Sequence, residues 1–428
     1  MADQTLAKFV NQRRILTLLR TRGALSRAEL SRSLGLTQAT ISRLTSQMIK
    51  RGHLREVKAA MPGKEREPGR PGIALEVDPV GAYFVGVEIG VSTLRIVLLD
   101  LSANVAEAVE TKLASKPTPQ LAADAIATTI KRFAEKASYR GRVVGVGVTV
   151  PGLVTSEGFI VNLPILGWKN TDFRSYLMSA TDLPVTIENN ANAAAFGAVY
   201  TQPGLVAPYT VFLKLGTGCG GAAIVNGRLL RGVDGTGLEL GHIHVGEMGA
   251  VCSCGQRGCL ETWVNLAALS RAWTGEEPGP VDLNLLPDEV ASACDRGDAR
   301  AIGATSSIAQ HLATGLVSLI NVFNPAQVVL GGAMIPVLRR ALAEVKASVA
   351  TRIIPGTRMP DILISPLGAY ECAIGAACIS HHVSFDISNV EIGGVFEETY
   401  RVSPGTSLTS KADMPAREAA SNPSSLSS

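Results

Sequence analysis

Histidine, tryptophan and cysteine are all scarce in this chain of 428 residues, with six His, three Trp and seven Cys. Aromatic residues make up 5% and charged residues only 18%. Seven cysteines in so long a chain do not make a disulfide framework and point to a reducing, cytoplasmic setting. No run of about 18 apolar, uncharged residues occurs, so the sequence offers no transmembrane helix and no membrane insertion. The opening Met-Ala-Asp-Gln-Thr-Leu-Ala-Lys lacks the apolar centre of a signal peptide. Apolar side chains, by contrast, are plentiful at 46%, enough to bury the cores of two or three domains.

The net charge of +3 is unevenly placed. Residues 1–76 hold fifteen Lys/Arg and six Asp/Glu, a net of +9, which leaves the rest at −6. A small basic end on an acidic body implies that only the end meets nucleic acid.

Three of the few cysteines, Cys252, Cys254 and Cys259, crowd into one loop. Gly255 and Gly258 let that loop turn back so that three sulfurs converge. A tetrahedral zinc site needs a fourth ligand, and His242 and His244 are both placed to supply it. Three merely free cysteines would be the plainer reading. Cys-x-Cys-x4-Cys near a histidine is, however, a dense ligand pattern in a chain poor in both residues. Four protein ligands leave no open position, so such a zinc is structural. Glu239 and Glu261 frame the loop, and fixing the loop fixes both carboxylates.

Along the chain, 9–21 has apolar positions at helical spacing and stops at Gly23. Ser26, with Glu29 three residues on, forms a capping box for a second helix, and Gly35 turns the chain. Thr37 caps a third helix that stops at Gly52. Helix, glycine turn, helix is the helix-turn-helix pattern. The exposed start of the third helix offers Gln38, Ala39, Thr40, Ser42 and Arg43 to a major groove, with Ile41, Leu44 and Met48 on the core side. His53–Val57 and Ile73–Val77 read as paired strands around a basic wing in which Arg70 is suited to a minor groove.

From Ala82 the pattern becomes two buried strands, a third strand over Val105–Lys112, a helix over Ala122–Ala137 and a strand over Gly141–Val150. A second copy begins near Tyr209 and continues to Ala326–Gly331, with the cysteine loop inserted. A cleft between two such halves places ligands at strand C-terminal ends. Gly216–Gly221 and Gly331-Gly332 are turns that backbone N–H groups could offer to a nucleotide, although hairpins use such glycines too. Beyond His382 the composition turns to Ser, Pro, Glu and Ala, and from about Pro404 it reads as disordered.

Gly-Leu-Glu-Leu-Gly-His followed by Cys-x-Cys-Gly-x-x-Gly-Cys-Leu-Glu resembles the signature of the ROK family (repressors, open reading frames and kinases). The resemblance spans roughly residues 10–380. It implies a ribonuclease-H-like, actin-type body with His242 as the fourth zinc ligand, and Glu239, His242 and Glu261 facing sugar hydroxyls. ROK repressors carry a winged helix-turn-helix of this kind at the N-terminus. Two departures bear on activity. The family's kinases have Asp-x-Gly-Gly-Thr at their first turn, where this chain has Glu88-Ile89-Gly90-Val91-Ser92, and Val91 crowds the phosphate. They also have Glu-Asn-Asp-Ala-Asn, whose Asp is the base, where this chain has Glu188-Asn189-Asn190-Ala191-Asn192. An amide can bond a hydroxyl but cannot take its proton. Asn162-Leu163 and Gly167-Trp168 also match the family, making Trp168 either a pocket wall or a core tryptophan.

The sequence therefore reads as an α/β protein: a winged helix-turn-helix over 1–76, a two-lobed sugar-kinase-like body with a zinc loop over 77–382, and an extension over 383–428. Its expected function is a sugar-responsive transcriptional repressor, not an enzyme. Zinc is bound by His242, Cys252, Cys254 and Cys259, and a monosaccharide or derivative by Asn189, Asn190, Glu239, His242 and Glu261. Operator DNA is bound as a homodimer or homotetramer. A DNA-tethered, ATP-dependent sugar kinase is the alternative, and a regulator released by a protein partner at the membrane is a third reading.

Overall fold

Two short polar side chains start the second and third helices. The computed structural model describes residues 2–58, 73–90, 93–114, 116–276 and 283–384. After α1 (Ala2–Arg22) and the two-residue strand β1 (Leu25–Ser26) come α2 (Arg27–Leu34) and α3 (Gln38–Lys50). Ser26 accepts from the Glu29 amide at 3.2 Å while the Glu29 carboxylate accepts from the Ser26 amide at 2.7 Å, a complete capping box. Thr37 accepts from the Thr40 amide at 3.2 Å. Gly35 ends α2 in the left-handed region, at φ 63°. β2 (Leu54–Lys58) pairs antiparallel with β3 (Ile73–Val77), and β1 adds itself to the free edge of β3. The wing between β2 and β3, with Arg70, lies outside the described residues, as does Val91.

The body holds two sheets. β4 (Tyr83–Ile89), β5 (Thr93–Asp100), β6 (Val105–Lys112), α4 (Pro119–Glu135), β7 (Val143–Val150) and β11 (Val185–Asn189) form the first, with order β11-β7-β4-β5-β6. A small sheet of β8 (Leu153–Val154), β9 (Ile160–Leu163) and β10 (Trp168–Thr171) and the helix α5 (Phe173–Ala180) precede β11. α6 (Asn190–Thr201) then leads into the second lobe. There β12 (Tyr209–Leu215), β13 (Cys219–Val225), β14 (Arg228–Leu229), β15 (Gln327–Gly331) and β16 (Asp361–Ile364) take the order β14-β13-β12-β15-β16. In both sheets the first three strands are antiparallel neighbours and the last two join in parallel. The duplication anticipated from pattern is thus present at the level of register. The helices of the second lobe are α7 (Glu261–Val264), α8 (Leu266–Thr274), α9 (Leu286–Asp295), α10 (Ala299–Phe323) and α11 (Ile335–Ala350).

The last helix, α12 (Glu371–Ser384), follows the last strand of the second lobe but packs on β4 and β7 of the first. α6 makes the reverse exchange. Ala194, Ala195 and Ala198 lie in one buried cluster with Phe212, Ala222 and Val329 of the second sheet. The two helices cross where Gly197 meets Gly375, and a Cβ on Gly197 would stand 2.7 Å from the Gly375 Cα. Bare backbone at the crossing is what small residues permit.

The helix-turn-helix is not tethered loosely. Ile15, Leu19, Ile41 and Leu44 share one buried cluster with Phe84, Leu99, Phe196 and Ile379 of the body. A Cβ on Gly81 would fall 2.2 Å from the Gly52 carbonyl oxygen, so the two units also touch backbone to backbone.

Candidate functional site

The cysteine loop leaves the second lobe after β14 and doubles back on itself. Val245 donates to the Gly258 carbonyl at 2.8 Å, and Leu260 to that of Ile243 at 2.9 Å. Gly255 and Gly258 sit at φ 87° and 82°, where side chains are disfavoured, and turn the strand as their spacing implied. Nδ1 of His242 and the sulfurs of Cys252, Cys254 and Cys259 all lie within 4.8 Å of one another. The Cys254 and Cys259 sulfurs are 3.6 Å apart, and Cys252 Sγ is 3.3 Å from His242 Nδ1. Bonds of about 2.3 Å to sulfur and 2.0–2.1 Å to nitrogen at tetrahedral angles set such ligands roughly 3.5–3.8 Å apart. The donor set therefore fits a tetrahedral metal ion. Burial and the neighbouring thiols push the Cys259 thiol up to about 12, so the three sulfurs cannot ionise together without a cation among them. His244 stays outside the cluster, its backbone bridging to Cys259.

The far side of His242 faces Glu239, which lines the cleft. Its Nε2 is 3.8 Å from Oε2 of Glu239, whose carboxyl burial raises above its ordinary value while His242 opposes the rise. Glu239, Asn189, Asn192, Gly152, Leu153 and Thr236 line one small cleft between the lobes. Asn189 caps α6: its Oδ1 accepts from the Ala191 and Asn192 amides at 2.7 and 3.3 Å, and its Nδ2 donates to the Gly152 carbonyl at 2.9 Å. Asn192 donates to Glu188 at 3.0 Å, and Glu188 in turn pairs with Arg231 at 2.5 Å. Asn192, Thr236 and Arg231 were not among the sequence candidates. Asn192 was within reach, since it stands three residues from Asn189 on one helical face.

Asn190 lies one layer deeper than the cleft lining. It is buried, accepts from the Thr149 hydroxyl at 2.6 Å and donates to Glu88 at 3.4 Å. Glu261 stands at the other end of the metal loop. It accepts from the Cys219 amide at 3.0 Å and from the Ser253 hydroxyl at 3.0 Å. The loop is thereby tied to the turn 216–221. Packing accounts for three of the four glycines of that turn. Side chains at 218, 220 and 221 would meet Glu261, Ala191 and Leu240 at 2.7, 2.9 and 2.4 Å. Trp168 is a core residue. It is buried against Phe173, and its indole donates to the Pro117 carbonyl at 2.8 Å.

Glu371 and Cys372, at the start of α12, were not singled out in the sequence. Glu371 is 2% exposed and lies in the field of Lys214 from the second lobe and Glu88 from the first. Burial, opposed by Lys214, pushes its carboxyl up to about 7. The Cys372 thiol, buried beside the same groups, is raised well above its ordinary range.

On α3, Gln38, Ala39, Ser42 and Arg43 are exposed and Ile41, Leu44 and Met48 are buried, the division that the helical period demands. Thr40 is half-buried, with its hydroxyl 2.9 Å from that of Thr37.

Among known proteins, the ROK family profile matches residues 84–383 and the MarR family profile residues 10–58. The xylose repressor of Bacillus spizizenii is 28% identical over 381 residues, covering 89% of this chain and 97% of its own. A glucokinase of Halalkalibacterium halodurans is 32% identical over 263 residues, covering 58% of this chain and 80% of its own. Among solved structures, a ROK family transcriptional regulator described as a homologue of the E. coli MLC protein superposes with a TM-score of 0.73. It covers 89% of this chain and 97% of its own, and at 23% identity it supports the fold alone. Sheet order, the Cys/His cluster and the matched span agree: the chain belongs to the ROK family, with a MarR-type winged helix ahead of the family's two-lobed body.

Proposed function

We propose that the protein is a sugar-responsive, DNA-binding transcriptional repressor whose effector is a monosaccharide or derivative bound in the cleft without being phosphorylated. One observation carries the reading. A winged helix-turn-helix shares its core with a kinase-like cleft in which an amide, Asn190, stands where the family's kinases have their base. Glu239, Asn189 and Asn192 are the groups nearest a bound ring, with His242 and Glu261 held behind them by zinc on His242, Cys252, Cys254 and Cys259. Asn190 bonds a hydroxyl only if closure brings the ligand down to it. Gln38, Ala39, Thr40, Ser42 and Arg43 meet operator bases and phosphates, and Arg70 the flanking minor groove. Residues 1–76 are the DNA-binding unit and 77–382 the sensor. The protein works in the cytoplasm as a dimer or dimer of dimers on a palindromic site. No helix among the described residues is long and apolar enough to cross a membrane. Sugar releases DNA only if it binds the DNA-incompetent arrangement more tightly.

The test is a gel shift on a duplex selected from random sequence with the full chain, titrated with D-xylose, D-glucose and N-acetyl-D-glucosamine. One of these should weaken the complex at least tenfold and raise the melting temperature of the free protein. Steady ATP-dependent phosphorylation of any of them by the unmodified protein would replace this reading with a sugar kinase.

A further inference from the structure

The far end of α6 is held by a helix of the DNA-binding unit. Tyr200 closes the last turn of α6. Its carbonyl accepts from Nη1 of Arg20 on α1 at 2.6 Å, and the Arg20 guanidinium lies 3.9 Å over the centre of its ring. A charged donor on a carbonyl and a cation over an aromatic face are both directional contacts. The Tyr200 hydroxyl meets Nδ1 of His381 at 2.8 Å. Since Nε2 of that ring is 3.0 Å from the Leu101 carbonyl, which can only accept, the proton is on Nε2 and Tyr200 is the donor. Two turns earlier on α1, Arg13 meets the His382 ring nitrogens at 3.0 and 3.1 Å. Phe196 packs on both Tyr200 and His382, with ring centres 5.2 and 5.3 Å away.

These two anchors stand on different lobes. Tyr200 belongs to α6, which rides on the sheet of the second lobe. His382 belongs to α12, which rides on the sheet of the first. The helices touch by bare backbone at Gly197 and Gly375, where no side chains interlock to resist their turning on each other. At its other end α6 begins with Asn190 and Asn192, and Asn189 caps it, at the cleft. Ten of its residues, from Asn190 to Val199, are buried, so it moves as a body, not by bending in solvent. A change in the angle between the lobes therefore changes the distance between the points that Arg20 and Arg13 hold.

We propose that Arg20 and Tyr200, braced by Arg13 and His382, are the positioning pair through which the cleft sets the placement of the DNA-binding unit. Neither touches the ligand nor the DNA; they act by fixing α1 to the helix that begins at the cleft. The inference rests on the cleft being the effector site, but part of its test needs no sugar. Both imidazoles are pushed down to about 3 by burial and the neighbouring arginines, so the joint keeps one protonation state across ordinary pH.

By reciprocity, whatever the cleft does to DNA binding, DNA binding must do to the cleft. The experiment compares the full-length protein with Arg20→Gln and with Tyr200→Phe, using a duplex selected from random sequence. Amide exchange is read over residues 190–201 with and without duplex. In the unchanged protein, duplex binding should alter exchange at 191–194 at least threefold. In Arg20→Gln this response should fall below 1.5-fold, with duplex affinity in the absence of sugar within threefold of the original. Tyr200→Phe keeps the ring and the carbonyl and should retain most of the response. A second arm adds D-xylose at 20 mM. A tenfold weakening of the duplex complex in the unchanged protein should shrink to under threefold in Arg20→Gln, with the D-xylose affinity of the free protein preserved. If D-xylose moves nothing in the unchanged protein, xylose is rejected as effector and the exchange arm decides the joint by itself. No response at 191–194 in the unchanged protein, or an equal one in Arg20→Gln, would overturn the proposal. A purely structural role for Arg20 would lower thermal stability and both affinities together and leave the response intact.

Discussion

The two lobes are one sheet built twice, and one of the connections that set them apart follows the third strand. In the first lobe the third strand, β6, passes to its helix α4 through 113–118. In the second, β14 reaches α7 only after 230–260, and that detour holds the Cys/His cluster and Glu239. The strand register survives duplication because the central strands are packed on both faces, and a one-residue slip would exchange every side chain between them. The connection is under no such constraint, so it is where a lobe acquires chemistry of its own. The first lobe supplies amides from a helix start, Asn189 and Asn192. The second supplies the Glu239 carboxylate from the loop whose Cys/His cluster could hold a metal. In the proposed reading, a ligand held by both would join a side built into the scaffold to one whose shape depends on that cluster.

Removing the metal should break that asymmetry most strongly. Zinc ligands contribute folding energy directly where a loop has little core of its own. The unchanged protein should carry one equivalent of zinc by elemental analysis, and Cys259→Ser should remove it and lower the melting temperature by about 10 °C. Fast amide exchange should appear over 239–261 while β4, β7 and β11 stay protected. Sugar response should vanish with the metal. Stoichiometric zinc in the variant, or none in the unchanged protein purified without chelator, would defeat the assignment.

The lobes also exchange helices, and the crossing can be tested by filling it. A Cβ on Gly375 would lie 1.8 Å from the Ala193 carbonyl oxygen, a backbone atom with nowhere to go. Gly375→Ala should destabilise by about 3 kcal/mol in denaturant titration, the upper part of the range for overpacking. Gly303 is the contrast. It lies inside α10 with nothing within 4 Å of its would-be Cβ, so Gly303→Ala should stabilise by about 0.5–1 kcal/mol. Equal effects at the two positions would mean that the close crossing is not present in solution.

These positions show what could be read from sequence and what could not. Local chemistry was legible. The capping box at Ser26, the Thr37 cap, the turns at Gly255 and Gly258 and the clustering of three cysteines are all set by residues within ten of one another. The sheet pattern was legible because buried strands and a helix alternate twice. Partners far along the chain were not. Nothing near Tyr200 announces Arg20, 180 residues away, and nothing in a run of alanines says on which lobe α6 will lie. Trp168 illustrates the limit. Its type fits a pocket wall or a core equally well, and the Pro117 carbonyl that satisfies its indole decides for the core.

Acid should separate the buried ionisable groups at the two ends of α12. His381 and His382 on α12 have folded values of about 3, against an ordinary 6.5. Between those values the unfolded chain binds more protons, so their contribution to stability is full above 6.5 and falls as pH drops towards 3. Glu371 runs the other way. At about 7 when folded against an ordinary 4.5, it is protonated in the folded protein and ionised in the unfolded one across that interval, so it opposes folding less as pH falls. Between pH 6.5 and 5.5 two imidazoles outweigh one carboxyl, and stability should drop by somewhat less than ~1 kcal/mol. His381→Gln should flatten the slope and Glu371→Gln should steepen it. A stability that rises on acidification over this unit would contradict the assignment of the two histidines.

The smallest gain in activity is expected at the residue that bears on catalysis. Asn190→Asp restores the residue type that the family's kinases use as a base, at a position where the present amide spans two partners. The Thr149 hydroxyl can donate to a carboxylate as it does to the amide oxygen, so that contact survives. The other does not: the Asn190 amide donates to Glu88 at 3.4 Å, and a carboxylate there would face Glu88 with nothing to donate. Two carboxylates so placed cannot both ionise readily, and the proton they share raises the new group away from the range of a working base. The substitution should therefore cost about 1 kcal/mol at pH 7.5, less at pH 5.5 where the pair can hold a proton, as read by denaturant titration at the two pH values. It should add no more than a trace of ATP-dependent phosphorylation of D-xylose or D-glucose. General-base assistance is worth about a hundred- to ten-thousand-fold, so a gain of that size from this one change would show that Glu88 leaves room for a base and that only the amide separates this cleft from a kinase. A gain appearing only when Glu88→Gln is added would place the barrier in the carboxylate pair itself.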